Sequence, residues 1–109
     1  MKAIVSIIIT LLMASAYSVR AADAKANWDA NCVQCHGKSG AADTKMGKTL
    51  SAKDLTDPKV QAAFTDAKAT QSITEGVKEN GKTTMKAFGG KLTADEIKAL
   101  VAYVRTLKK

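Results

Sequence analysis

The sequence predicts one all-α domain, three to four short helices joined by long loops that wrap around a large apolar group. Three observations carry that prediction. After residue 22 no run alternates apolar and polar residues over the length of a strand, whereas helix-start signals recur. With residues 1–21 set aside from the 109, about 88 remain. That is near the size at which a core is marginal without a disulfide, metal or cofactor. Aromatic residues make up only 5% of the chain, so an apolar cofactor is expected to supply part of the core. A composition of 46% hydrophobic and 25% charged residues is ordinary for a globular protein. Two cysteines exclude a multi-disulfide scaffold.

Residues 1–21 read as a secretory leader. Lys2 precedes a stretch, residues 3–16, in which 11 of 14 side chains are apolar, the pattern of a charged n-region and a short h-region. The stretch is shorter than the roughly 20 apolar residues that span a bilayer comfortably. Val19 and Ala21 offer an acceptable −3/−1 pair for cleavage before Ala22, with Ala14 and Ala16 as a second candidate pair. Export, with the mature domain at residues 22–109 in the periplasm, is the expectation; a retained N-terminal anchor is the alternative. Export also removes nucleic acid as a partner for the basic residues.

The helices follow in order. Residues 24–33, rich in Ala, Lys, Asn and Trp, are expected to form the first. Asp57-Pro58 sets a capping residue before a proline suited to the first helical position, and Val60, Ala63 and Phe64 follow. Another helix is expected over residues 66–75, with Gly76 as its stop. The last has the clearest signal, a Thr93-Ala94-Asp95-Glu96 capping box with Leu92 and Ile97 placed as a hydrophobic staple. Ile97, Leu100, Val101, Val104 and Leu107 then recur at spacings of three and four, one apolar stripe flanked by Tyr103. Residues 37–53 and 76–90 are left as long glycine-containing segments, and segments of that length in a small domain are expected to wrap something.

Cys32-Val33-Gln34-Cys35-His36 identifies the wrapped object. Thiols three residues apart lie within one helical turn, so both reach one edge of a haem, and the adjacent histidine is carried under the iron. His36 is the sole histidine. A thioredoxin-type pair needs a strand–helix–strand frame, structural zinc needs a fourth ligand, and a disulfide closing so short a loop stabilises little. One covalently attached haem c is therefore expected, held by Cys32 and Cys35, with His36 as an axial ligand. For the other axial position the sequence offers Met46 and Met85, and many lysines besides. Met46 follows His36 by ten residues on the chain leaving the proximal side, whereas Met85 follows by 49 and leads toward the last helix. Met85 is the expected ligand. His/Met ligation raises the potential, and two filled axial sites leave electron transfer as the chemistry. Packing alone is the other role open to either methionine.

With these residues in place the sequence resembles the class I c-type cytochromes, small bacterial monohaem electron carriers, over residues 24–109. Trp28 stands where the family has an aromatic four residues before the first cysteine. Met85-Lys86-Ala87-Phe88 is similar to its Met-x-x-Phe loop, and Leu100, Tyr103 and Val104 match the Leu-x-x-Tyr-Val element of its last helix. The resemblance implies a cytochrome c-like fold, crossing terminal helices that bring Trp28 and Tyr103 into contact, and a pocket lined by Trp28, Phe64, Phe88, Leu100 and Tyr103. Two residues depart from the family pattern: Lys86 replaces a proline after the methionine, and Ala24 stands where many members have glycine. Many members also hold the proximal imidazole proton on a proline carbonyl; the sole proline here, Pro58, has no clear alignment to that role.

The chain carries 17 basic and 10 acidic residues; losing Lys2 and Arg20 with the leader leaves 15 against 10, net +5. Lys45, Lys48, Lys82, Lys86 and Lys91 lie in the two segments expected to rim the haem. They suit docking to redox proteins with an acidic face, or peripheral contact with anionic lipid. The leading expectation is a monomeric periplasmic single-haem cytochrome c that shuttles one electron between larger complexes and is not an enzyme. An open-iron sensor or enzyme with labile Met85, and a haem subunit tethered through residues 3–18, are the alternatives.

Overall fold

The computed structural model describes residues 21–109. The leader reading of residues 1–21 therefore falls, except for Ala21, outside the described residues. Six helices and one hairpin follow in chain order: α1 Ala21–Asn31, α2 Val33–His36, α3 Lys45–Thr49, α4 Pro58–Ala63, α5 Asp66–Glu75, β1 Val77–Glu79, β2 Lys82–Met85 and α6 Ala94–Thr106. The predominantly helical class holds, and α1, α4, α5 and α6 are the four expected helices. α2 and α3 are single turns in or beside segments expected to be irregular.

The caps explain the boundaries. Asp57 accepts a hydrogen bond from Lys59 N–H ahead of Pro58, and Thr65 accepts one from Lys68 N–H at the start of α5. At α6, Thr93 Oγ1 accepts from Glu96 N–H (3.1 Å) while Glu96 Oε1 accepts from Thr93 N–H (3.0 Å). That reciprocal pair is the capping box read from the sequence.

The hairpin corrects the expectation of a structureless loop over residues 76–90. Val77 pairs with Met85, Lys78 with Thr83 and Glu79 with Lys82, antiparallel, with an irregularity between Val77 and Lys78. Asn80 and Gly81 have φ of 52° and 77°, the doubly left-handed geometry of a two-residue hairpin turn. Strands of three and four residues are too short to display alternation, so the turn dipeptide carries the signal.

The core forms where α1 crosses α6. Ala24 and Trp28, four residues apart on one face, are the buried residues of α1; Ile97, Leu100, Val101 and Val104 are those of α6. Leu55, Ile73 and Leu92 complete the buried cluster with Trp28 and the α6 stripe. Trp28 and Leu100 are each 1% exposed, and full burial of one such leucine contributes about 1.5–3 kcal/mol. Asn27 Nδ2 donates to Glu96 Oε2 (3.0 Å), tying α1 to the first turn of α6. Main-chain bonds from Phe88 N–H to the Ile73 carbonyl (2.8 Å) and from Gly89 N–H to the Thr74 carbonyl (3.0 Å) fasten the segment after the hairpin to the end of α5. They satisfy carbonyls that the helix itself leaves open.

Candidate haem site

The site is built on the turn joining α1 to α2. Cys32 N–H donates to the Trp28 carbonyl (2.9 Å) and His36 N–H to the Cys32 carbonyl (2.9 Å), so helical geometry continues through the motif. Cys32 and Cys35 thus occupy one turn; both are half-buried and unbridged. Burial, then the neighbouring Cys35, pushes the Cys32 thiol up to about 11. Activated redox thiols are shifted the opposite way.

His36 ends α2. Its Nδ1 lies 3.2 Å from the Lys53 carbonyl oxygen. A carbonyl only accepts, so Nδ1 carries the proton and Nε2 presents its lone pair, the arrangement an axial imidazole requires. Burial lowers the imidazole pKa, with the Lys53 bond opposing in part, which favours the neutral ring that binds metal. The sequence does not single out Lys53 as a site residue, because a main-chain carbonyl has no side-chain identity. It fills the role for which the sequence offered no assignable proline.

α3 supports the motif from the other side. Thr44 Oγ1 donates to the Cys35 carbonyl (2.7 Å) and accepts from Gly47 N–H (2.9 Å). Gly47 is buried, and a Cβ there would overlap the Cys35 carbonyl oxygen. Only a glycine allows α3 to approach α2 this closely. Thr44 at the N-cap of α3 was a legible signal within residues 37–53.

The remaining expected site residues belong to, or pack against, the buried cluster that contains Trp28. Its ring centroid lies 5.8 Å from that of His36 and 5.5 Å from that of Tyr103, so the expected Trp28–Tyr103 contact is present. Cys32, Phe64, Met85, Phe88 and Tyr103 are partly buried against the cluster containing Trp28 and Leu100. Phe64 also lies under the Arg105 guanidinium, 4.3 Å from its ring centroid. Met85, at the end of β2, packs against the cluster, whereas Met46 on α3 is 41% exposed. Trp28 Nε1 is a buried donor with no partner among the described residues.

These features fit a haem. Two unbridged thiols share one turn, Nε2 of a neutral histidine is available to a metal, and Val33, Met85 and Phe88 present half-buried apolar surface around the core. Lys45, Lys48, Lys82, Lys86 and Lys91 are all exposed, and among the described residues none forms an ion pair.

The comparisons with known proteins bear on the family and the fold. Residues 19–104 match the family described as cytochrome c oxidase, cbb3-type, subunit III. The chain is 38% identical over 78 residues to the cbb3-type cytochrome c oxidase subunit FixP of Azorhizobium caulinodans, covering 72% of this chain and 24% of that one. It is 36% identical over 77 residues to cytochrome c6 of Gracilaria tenuistipitata var. liui, covering 71% of this chain and 63% of that one. The chain thus spans about a quarter of the first relative and less than two thirds of the second. Among solved structures it is similar to the KustC0563 c-type cytochrome, with a TM-score of 0.71 and 36% identity over 79% of this chain and 98% of that one. The chain belongs to the cytochrome c oxidase, cbb3-type, subunit III family, and its fold is that of a small c-type cytochrome.

Proposed function

We propose that this chain is a periplasmic single-haem cytochrome c that carries one electron at a time between larger redox complexes. The observation that carries the reading is the His36 arrangement, Nδ1 on the Lys53 carbonyl and Nε2 left for iron, one residue beyond the second of two unbridged thiols. Cys32 and Cys35 would hold one haem by thioether bonds, and His36 and Met85 would fill the axial positions. The haem supplies a one-electron couple, while the chain sets orientation, dielectric and potential. Trp28 and Leu100, both buried, would keep water from the haem, and Phe64, Phe88 and Tyr103, packed on the same cluster, would extend that apolar wall. With His36 and Met85 both bound to the iron, the chain would offer a substrate no place at the metal, so the reading is a carrier and not a catalyst.

The five exposed lysines without ion pairs support brief docking to a redox partner with an acidic face. Electron transfer from the reduced holoprotein to such a partner is expected to slow steeply between low and physiological salt, and the reduced protein is expected not to bind carbon monoxide rapidly. A flat salt response removes the docking reading, and rapid carbon monoxide binding returns the open-iron sensor or enzyme. A second reading, a haem subunit of a larger oxidase, takes its support from the family match and FixP; in it residues 3–18 would be retained as a tether. Among the described residues no helix is long and apolar enough to cross a membrane. Determining the N-terminal residue of the purified protein separates the two, Ala22 for the exported carrier and an intact leader for the tethered subunit.

A further inference from the structure

The buried polar side chains among the described residues are Thr56 and Gln61, 5% and 4% exposed. Burying polar groups costs free energy unless their hydrogen bonds are made, and both residues spend theirs on the same short segment. Thr56 donates from its N–H (2.9 Å) and its hydroxyl (2.5 Å) to one oxygen, Asp54 Oδ1, closing a tight turn immediately after Lys53. Gln61 Nε2 donates to the Leu55 carbonyl (2.7 Å) and to the Val104 carbonyl of α6 (2.9 Å). Gln61 Oε1 in turn accepts from Arg105 Nη1 (2.9 Å), and that guanidinium also donates to the Gln61 and Phe64 carbonyls and to Asp66. Leu55 N–H donates to the Gly40 carbonyl (2.8 Å), and Lys109 N–H to the Thr56 carbonyl (2.9 Å). Residues 54–56 are therefore fixed on every side, directly after the carbonyl that receives His36 Nδ1–H.

We propose that the Asp54–Thr56 turn, clamped to α6 through Gln61, is the positioning device that holds the Lys53 carbonyl on His36 and so sets how strongly the imidazole donates to iron. The inference rests on the reading of His36 as an iron ligand given above. Asp54, Thr56 and Gln61 are positioning residues that act through the Lys53 carbonyl. A hydrogen bond to the far nitrogen of a ligating imidazole raises its basicity and tunes the metal. A stronger donor favours the ferric state, so loosening the turn raises the reduction potential.

The test uses the holoprotein matured in a periplasm, comparing wild type, Asp54→Ala, Asp54→Asn and, as a stability control remote from the turn, Thr93→Ala. The readouts are the midpoint potential, the proton resonance of His36 Nδ1–H and the thermal midpoint. Asp54→Ala is expected to raise the potential and move the Nδ1–H resonance upfield. Asp54→Asn, which keeps an acceptor oxygen for Thr56, is expected to restore both. Thr93→Ala is expected to lower the thermal midpoint without moving either. Should Asp54→Ala fail to fold, Thr56→Val removes only the hydroxyl bond and is expected to shift both readouts less, in the same direction. An unmoved potential and resonance in the turn variants, or equal shifts in Thr93→Ala, overturn the inference while leaving the haem reading intact. A wild-type holoprotein without a histidine-ligated haem spectrum overturns both.

Discussion

Replacing Gly47 by alanine sets two physical effects of opposite sign against each other. Gly47 is an internal residue of α3, where alanine is favoured by about 1 kcal/mol on helix propensity alone. The added methyl would overlap the Cys35 carbonyl oxygen and lie 2.9 Å from Thr44 Oγ1 and 3.0 Å from the Ala42 carbonyl oxygen. Two of these three atoms belong to the main chain and cannot rotate away. Overpacking of this kind costs about 1–3 kcal/mol. The displacement of α3 also breaks the two hydrogen bonds made by Thr44, roughly 1 kcal/mol each. The net expectation is a loss of about 2–4 kcal/mol, on the order of 10–30 °C in thermal midpoint for a domain of this size. Urea unfolding of the holoprotein followed by circular dichroism measures it, with Lys48→Ala on the same helix as an exposed control expected within about 0.5 kcal/mol of wild type. Since the strain falls on Cys35, haem incorporation during maturation should drop as well. A Gly47→Ala protein as stable as wild type, or more so, refutes the close approach of α3 to the Cys35 carbonyl.

Two further expectations test other parts of the fold. A Cβ at Gly81 meets no atom within 4 Å, yet its φ is 77°; Gly81→Ala should therefore cost only the left-handed backbone penalty, about 1–2 kcal/mol, in urea unfolding, and a larger loss would mean that the turn packs against something. The Glu96 carboxyl is held below its usual pKa, first by Thr93 N–H and then by Asn27. Its contribution to stability is thus present above the unfolded value of 4.5 and lost as pH falls through the lower folded value. Glu96→Gln, which still closes a capping box, should flatten the acid side of the stability–pH curve in that window, and a curve unchanged from wild type would show that the fold does not lower the Glu96 pKa.

What the sequence disclosed follows the reach of its side chains. Asp57, Thr93 and Gly76 act on backbone a few residues away, so the starts of α4 and α6 and the end of α5 were legible. The α6 stripe was legible because its period repeats over three turns. The hairpin is not legible in its strands, which are too short for a pattern, although Asn80-Gly81 marks the turn. Within the site, Cys32, Cys35 and His36 are adjacent and announce themselves. The Lys53 carbonyl does not, since any residue there offers the same oxygen. Neither does the Gln61–Arg105 link, which joins residues 44 apart, nor the role of Gly47, which depends on a contact between two helices of at most five residues.

The most direct test of the central claim is the visible spectrum of the holoprotein, oxidised and reduced. Ligation by His36 and Met85 is expected to give sharp low-spin bands on reduction and a weak red band from an iron–sulfur bond in the oxidised form. Met85→Ala should abolish that band, and Met46→Ala should leave it unchanged. A high-spin spectrum, or a red band that survives Met85→Ala, would contradict the assignment of the axial pair. The absence of haem absorbance would return Cys32 and Cys35 to thiol chemistry.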